Sequence, residues 1–120
     1  MTGLARSTVP GFNLGRTAAA TGASWTTCPY QRQSDRRLWL AGWLYYVSCA
    51  ASTPNGLAPF HAKQLRDGAD WLPVERELLE IGRRQAPRVT YHVLAAVLGR
   101  SDLSCRIAAS RHQLLTQGTA

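Results

Sequence analysis

Cysteine, histidine and clustered carboxylates are the side chains that most often carry chemistry, and in this chain they stand apart. The three cysteines are Cys28, Cys49 and Cys105, and none has a second Cys or His two to four residues on. Such spacing offers no zinc ligand pair. An odd count does not suit a disulfide framework, so the expectation is buried thiols in a reducing compartment, with no metal and no cofactor. His61, His92 and His112 have no acid at triad or metal spacing. Glu75, Glu77 and Glu80 lie close together. Glu77 and Glu80 share a helical face, but Arg76 and Arg84 are within reach of them, so a solvated ion-pair face is expected. There is no G-x-x-x-x-G-K loop and no G-x-G-x-x-G to cradle a phosphate. The expectation is a protein that is not an enzyme.

Arginine is the functional residue in excess. Fourteen basic residues face seven acidic ones, for a net charge of +7, and Lys63 is the only lysine. Arginine forks onto phosphate or carboxylate, so an anionic partner such as RNA, DNA or a membrane surface is the first expectation. The alternative is an ordinary basic surface. Candidate phosphate contacts are Arg32, Arg36 and Arg37 ahead of Trp39, and Arg100, Arg106 and Arg111 in the last third. Tyr30 suits stacking on an unpaired base or, equally, anchoring a packed linker.

Helices must position these residues. Gly11, Gly15, Ala18 and Gly22 recur at i, i+4, i+7 and i+11 in a helix over residues 11–23, whose bare face would accept a second helix closely. Phe12 and Leu14 add bulk beside it. Pro29 breaks the chain, and Ser34 is the expected N-cap of a helix running to Ala51, with Asp35 in its first turn. Trp39, Gly42, Trp43 and Tyr46 share a face there, and Gly42 is placed to meet the first glycine stripe. Residues 38–51, LWLAGWLYYVSCAA, are too short to span a bilayer, so a buried helix is expected and no membrane role. Residues 1–10 hold no apolar core of the signal-peptide kind.

Residues 53–69, with Pro54, Asn55, Gly56, Pro59 and Gly68, read as a linker with a short helical turn near His61–Arg66. Pro73 then opens a helix in which Trp71, Val74, Leu78 and Ile81 form the apolar face, and Pro87 ends it. Thr90 caps a short helix with Tyr91, Leu94, Ala95 and Leu98 on one face. Gly99 stops it, and Ser101 caps a last helix from Asp102 to about Leu115. Three helices with a tight turn before the third make a helix-turn-helix pattern.

Two stretches resemble known families. Residues 28–43, CPYQRQSDRRLWLAGW, resemble the ribosome modulation factor family through Cys28-Pro29-Tyr30, Arg36, Trp39-Leu40 and Gly42-Trp43, with Gly11 and Gly15 matching the glycines of its first helix. The resemblance implies a small bacterial module that binds the small ribosomal subunit. The family's basic leader is missing here, since residues 1–10 hold only Arg6. The same short fold is shared with fluoroquinolone-resistance proteins, which implies antibiotic modification as an alternative. Beyond Trp43 the helix is more apolar than in the family, which suggests docking on a second module or a second copy. Residues 70–115 are similar to Myb/SANT-like helix-turn-helix domains through Trp71, Glu75, Leu78, the LAAVLGRS stretch at Leu94–Ser101, Cys105 and Arg106. In that family the third helix enters the DNA major groove.

Two registers compete for the last helix. The family register buries Cys105, Ala109 and His112 and turns Asp102, Leu103, Arg106 and Ile107 outward. Simple periodicity buries Leu103, Ile107 and Leu114 instead. The expected protein is therefore all-α: an N-terminal helical hairpin at residues 9–52, a linker at 53–69, and a C-terminal three-helix helix-turn-helix module at 70–117. Its expected role is cytoplasmic, nucleic-acid binding and regulatory, associated with the ribosome, rRNA or DNA. A protein-interaction adaptor using Leu44, Tyr45, Val47, Leu103 and Ile107, with a protein partner or self-association, is the alternative.

Overall fold

A computed structural model of the chain describes residues 10–62, 65–66, 68–84 and 89–118. The described residues are all-α, with five α-helices and no strand. The helices are α1 (Pro10–Ala20), α2 (Gln33–Ala51), α3 (Pro73–Arg84), α4 (Tyr91–Leu98) and α5 (Asp102–Gly118), joined in part by 3₁₀ turns at Trp25–Thr27 and Ala58–Phe60. The chain divides into two compact units, Met1–Pro59 and Phe60–Ala120.

In the first unit α1 packs along α2. The approach is close because both helices bring glycine to it. A methyl group at Gly15 would collide with the Trp39 carbonyl oxygen, and one at Gly42 with the Phe12 carbonyl oxygen. Trp39, Leu40, Trp43, Leu44 and Val47 of α2 are buried, and the Trp43 indole N–H donates to the Ala23 carbonyl at 2.8 Å. Gly22 belongs to a different device from the one its spacing suggests. It lies past the end of α1 at φ +87°, with nothing within 4 Å of where a Cβ would stand. The Ala23 N–H reaches the Ala18 carbonyl at 2.9 Å and the Gly22 N–H reaches that of Ala19 at 3.0 Å, a left-handed helix stop. Helix α2 starts earlier than expected: Arg32, with no side-chain cap, holds the N-cap place that the sequence assigns to Ser34.

In the second unit α3 buries Leu78 and Ile81 as expected, but not Val74. Val74 is 43% exposed, and Glu75, Leu78, Leu79 and Gly82 face inward. A carboxylate, that of Glu75, thus joins the buried face of α3. Thr90 Oγ1 accepts the Val93 N–H at 3.3 Å, Gly99 closes α4 at φ +70°, and Ser101 Oγ accepts the Ser104 N–H at 3.0 Å. These caps lie where the sequence places them. The segment before α3, which reads as linker, is tied to α4: the Ala62 N–H donates to the Ala96 carbonyl at 2.8 Å and the Arg66 N–H to that of Gly99 at 2.7 Å. The turn expected near His61–Arg66 falls partly outside the described residues, as does Pro87; a 3₁₀ turn lies at Ala58–Phe60 instead. Among the cysteines, Cys105 is buried, Cys28 half-buried and Cys49 exposed, so only one thiol meets the expectation of burial.

Candidate nucleic-acid interface

Of the two registers open in the sequence, helix α5 takes the one that turns Cys105 and Ala109 inward. Cys105 is fully buried and Ala109 nearly so, while Leu103 is 65% and Ile107 43% exposed. Small side chains at these i, i+4 positions let α5 lie close to α4, where Leu94 and Leu98 already fill the core. Two branched side chains in their place would need more room than this packing leaves. The periodic reading is overturned at Leu103 and Ile107; the side chains of His112 and Leu114 lie outside the described residues. Asp102, Leu103, Arg106 and Ile107 are all exposed on this helix.

Arg106 is held near a second arginine by an aromatic ring. Its guanidinium lies 5.1 Å from the centroid of Tyr91, and that of Arg83 lies 4.0 Å from the same centroid. Arg83 also donates from Nη1 to the Val89 carbonyl at 2.9 Å, which ties the end of α3 to the approach to α4. Three helices therefore contribute to one basic patch: Arg83 from α3, Tyr91 from α4 and Arg106 from α5. Each cation–π interaction at a partly exposed site contributes about 0.5–1 kcal/mol. Two guanidinium groups close to one ring concentrate positive charge there, which favours an anion. Arg111, further along α5, is also exposed.

Arg100 is not part of this patch, contrary to its place among the expected phosphate contacts. Its side chain is 1% exposed and both of its terminal nitrogens are already engaged. Nη2 reaches Glu75 Oε1 at 3.0 Å and the Asp70 carbonyl at 3.0 Å, and Nη1 reaches the Ala69 carbonyl at 2.9 Å. The guanidinium lies 4.2 Å from the Trp71 ring centroid. Glu75 completes the network, accepting from Arg66 Nε at 2.9 Å and from the Leu72 N–H at 2.8 Å. Burial pushes the Glu75 pKa up. The hydrogen bonds from Arg100, the Leu72 N–H and Arg66, with the charge of Arg100, outweigh that and hold it below its ordinary value. Of the expected ion-pair face Glu77 is buried, and Glu80 lies 3.1 Å from Arg84 Nη1.

In the first unit the candidate arginines surround the start of α2. Arg32 is exposed, while Arg36, Arg37 and Tyr30 are half-exposed. Arg36 Nη1 donates to the Gln31 carbonyl at 2.9 Å, so it fastens the loop that leads into the helix. On α1, Arg16 lies 5.4 Å from the Tyr45 ring centroid, and Tyr45 meets Phe12 with centroids 6.0 Å apart. Of the adaptor residues, Leu44 and Val47 are buried and inaccessible to a partner, whereas Tyr45 is exposed.

A shallow groove of about 220 Å³ on the second unit is lined by His61, Leu65, His92, Ala95 and Asp102, among others. Among the described residues no three Cys, His, Asp or Glu side chains are grouped to hold a metal ion. Likewise no described helix is long and apolar enough to cross a membrane.

Sequence reasoning misses Arg83 and Tyr91. Spacing puts Tyr91 on the core face of α4, and Arg83 looks like one of a basic pair at a helix end. The signal that could find them is an aromatic residue in the first turn of a helix that follows an arginine-ended one, which is weak on its own. Comparison of the chain with protein-family models, curated proteins and solved structures gave no match. The two family resemblances therefore rest on the residues that carry them.

Proposed function

We propose that this protein binds nucleic acid as a non-catalytic regulator, with the second unit meeting a duplex through α5 and both units touching phosphates through arginine. One observation carries the reading. Helix α5 turns Arg106 outward, and the guanidinium groups of Arg106 and Arg83 lie 5.1 and 4.0 Å from the Tyr91 ring centroid, which pre-orders both of them. Ordering long side chains in advance lowers the entropic cost of using them on binding. The outward helix is long enough to lie in a major groove, about 12 Å wide, which admits an α-helix. The start of α2 adds Arg32, Arg36 and Arg37 around a helix N-terminus, an arrangement that also favours phosphate. Resemblance to ribosome modulation factors and to Myb-like domains supports a bacterial, cytoplasmic setting and a choice of rRNA or DNA as partner.

The test is binding of the full chain to a DNA duplex and to structured RNA across a salt series. Replacing Arg83 and Arg106 by alanine should lower the slope of log affinity against log salt by about 0.9 for each duplex phosphate no longer neutralised. A parent that binds neither polymer at low salt overturns the reading. A protein-binding adaptor is the second reading, favoured by the exposure of Leu103, Ile107 and Tyr45. It requires binding that salt hardly changes.

A further inference from the structure

The outward face of α5 combines two features that call for different parts of one partner. Arg106, and Arg83 on the same Tyr91 ring, favour an anion. Leu103, 65% exposed, and Ile107, 43% exposed, lie one turn apart along the same helix and offer only apolar groups. Neither can accept or donate a hydrogen bond, so neither can read the polar edge of a base. A partner that satisfies both presents anionic groups at its margin and apolar groups at its centre. Duplex DNA has this layout in one place. The major groove is walled by phosphates, and the apolar group on its floor is the C5-methyl of thymine.

We propose that Leu103 and Ile107 select thymine methyl groups in the major groove while Arg83 and Arg106 hold the flanking phosphates. This rests on the nucleic-acid reading and narrows it to duplex DNA rich in A·T pairs. Both apolar residues lie in the first two turns of α5, the end that follows the tight Gly99–Ser101 connection. Recognition helices of the helix-turn-helix kind bring their N-terminal residues to the base edges. Asp102 lies beside them at the helix start and is exposed. Its charge disfavours a nearby phosphate, which leaves the arginines to set where the backbone runs. An acidic amphipathic helix from another protein would also satisfy charge and apolarity, but its binding could not depend on one methyl group of a base.

The experiment isolates that methyl group. Binding of the full chain is measured to a duplex of alternating A and T, and to the same duplex with every thymidine replaced by deoxyuridine. The two differ only by the C5-methyl, so phosphate charge and base-pairing edges are unchanged. Burying one methyl against an apolar side chain corresponds to on the order of a fourfold difference in affinity. The parent should therefore bind the thymidine duplex about fourfold tighter for each methyl covered. Leu103→Ala with Ile107→Ala should bind both duplexes equally while keeping the parent's salt slope and helical circular dichroism. Arg106→Ala should do the reverse, lowering the slope and keeping the preference for thymidine. Duplex binding with no difference between thymidine and deoxyuridine overturns the methyl assignment and leaves nucleic-acid binding standing. Binding to no duplex or RNA at low salt overturns both. Loss of a stable oligomer in Leu103→Ala/Ile107→Ala, with no change in duplex preference, would assign the face to a second copy of the chain and overturn the proposal as well.

Discussion

Protonating Glu75 would leave the Arg100 guanidinium buried without a counter-charge. The Glu75 pKa is lowered in the folded chain, so the unfolded chain takes up the proton first as pH falls. The stabilisation is fully present above the ordinary carboxylate pKa and is lost as pH drops through the lowered one. Unfolding midpoints measured from neutral pH down into the acid range should fall for the parent, and Glu75→Gln should flatten that dependence. The same variant should be destabilised at neutral pH by about 3–5 kcal/mol, the usual cost of stranding a buried partner. Replacing both Glu75 and Arg100 by apolar residues of similar volume should recover much of the loss, because burying two charges carries its own desolvation cost. Recovery in the double variant, read by urea denaturation, would show that the single variant suffers from a stranded charge and not from poorer packing. Arg100 is thus a structural residue, and its substitution should change stability before it changes affinity for any anion.

Two helices that approach backbone to backbone tolerate no side chain at the point of closest approach. For α1 and α2 those points are Gly15 against Trp39 and Gly42 against Phe12. Gly42→Leu and even Gly15→Ala should push the helices apart, exposing Trp39 and Trp43 and shifting tryptophan fluorescence to the red. Gly22→Ala meets no atom, yet it should cost about 1 kcal/mol through the left-handed backbone alone. A larger loss at Gly22 than at Gly15 would show that the helix stop, and not the close approach, dominates this unit. At the start of α2, Arg36 fastens the entering loop through the Gln31 carbonyl while staying partly open to solvent. Arg36→Ala with Arg37→Ala should therefore weaken association with RNA or ribosomes at low salt while leaving helical content intact. Equal co-sedimentation of variant and parent with ribosomes would leave these arginines the role of solvating a helix end.

Positive charge is shared between the two units, with five arginines against one aspartate in residues 1–59 and nine basic residues against six acidic in residues 60–120. If one polyanion touches both units, the decreases in salt slope should add. Arg36→Ala/Arg37→Ala and Arg83→Ala/Arg106→Ala combined should then fall by the sum of the separate decreases. A combined variant no worse than the weaker of the two would mean that only one unit touches the polymer. Titration of the full chain with a single duplex and a single RNA, at matched ionic strength, reads this directly.

Local chemistry is legible from the chain alone wherever one or two neighbouring residues decide the outcome. Thr90, Ser101 and Gly99 act as caps and stop because the groups they serve lie within four residues of them. The all-α class follows from helical spacing, and the close approach of α1 and α2 follows from glycines that otherwise only weaken a helix interior. Three features required the tertiary structure. Gly22 shares the spacing of the packing glycines, and only the path of the chain after Ala20 makes it a helix stop. The partners of Glu75 cannot be read locally, because Arg66 and Arg100, nine and twenty-five residues away, reach it only in the folded chain. The register of α5 is open in the sequence because Leu103 and Ile107 favour burial on hydrophobicity alone. Packing decides it: a helix seated closely against α4 needs small side chains where the two meet, so Cys105 and Ala109 turn inward and leave the larger apolar residues on the surface.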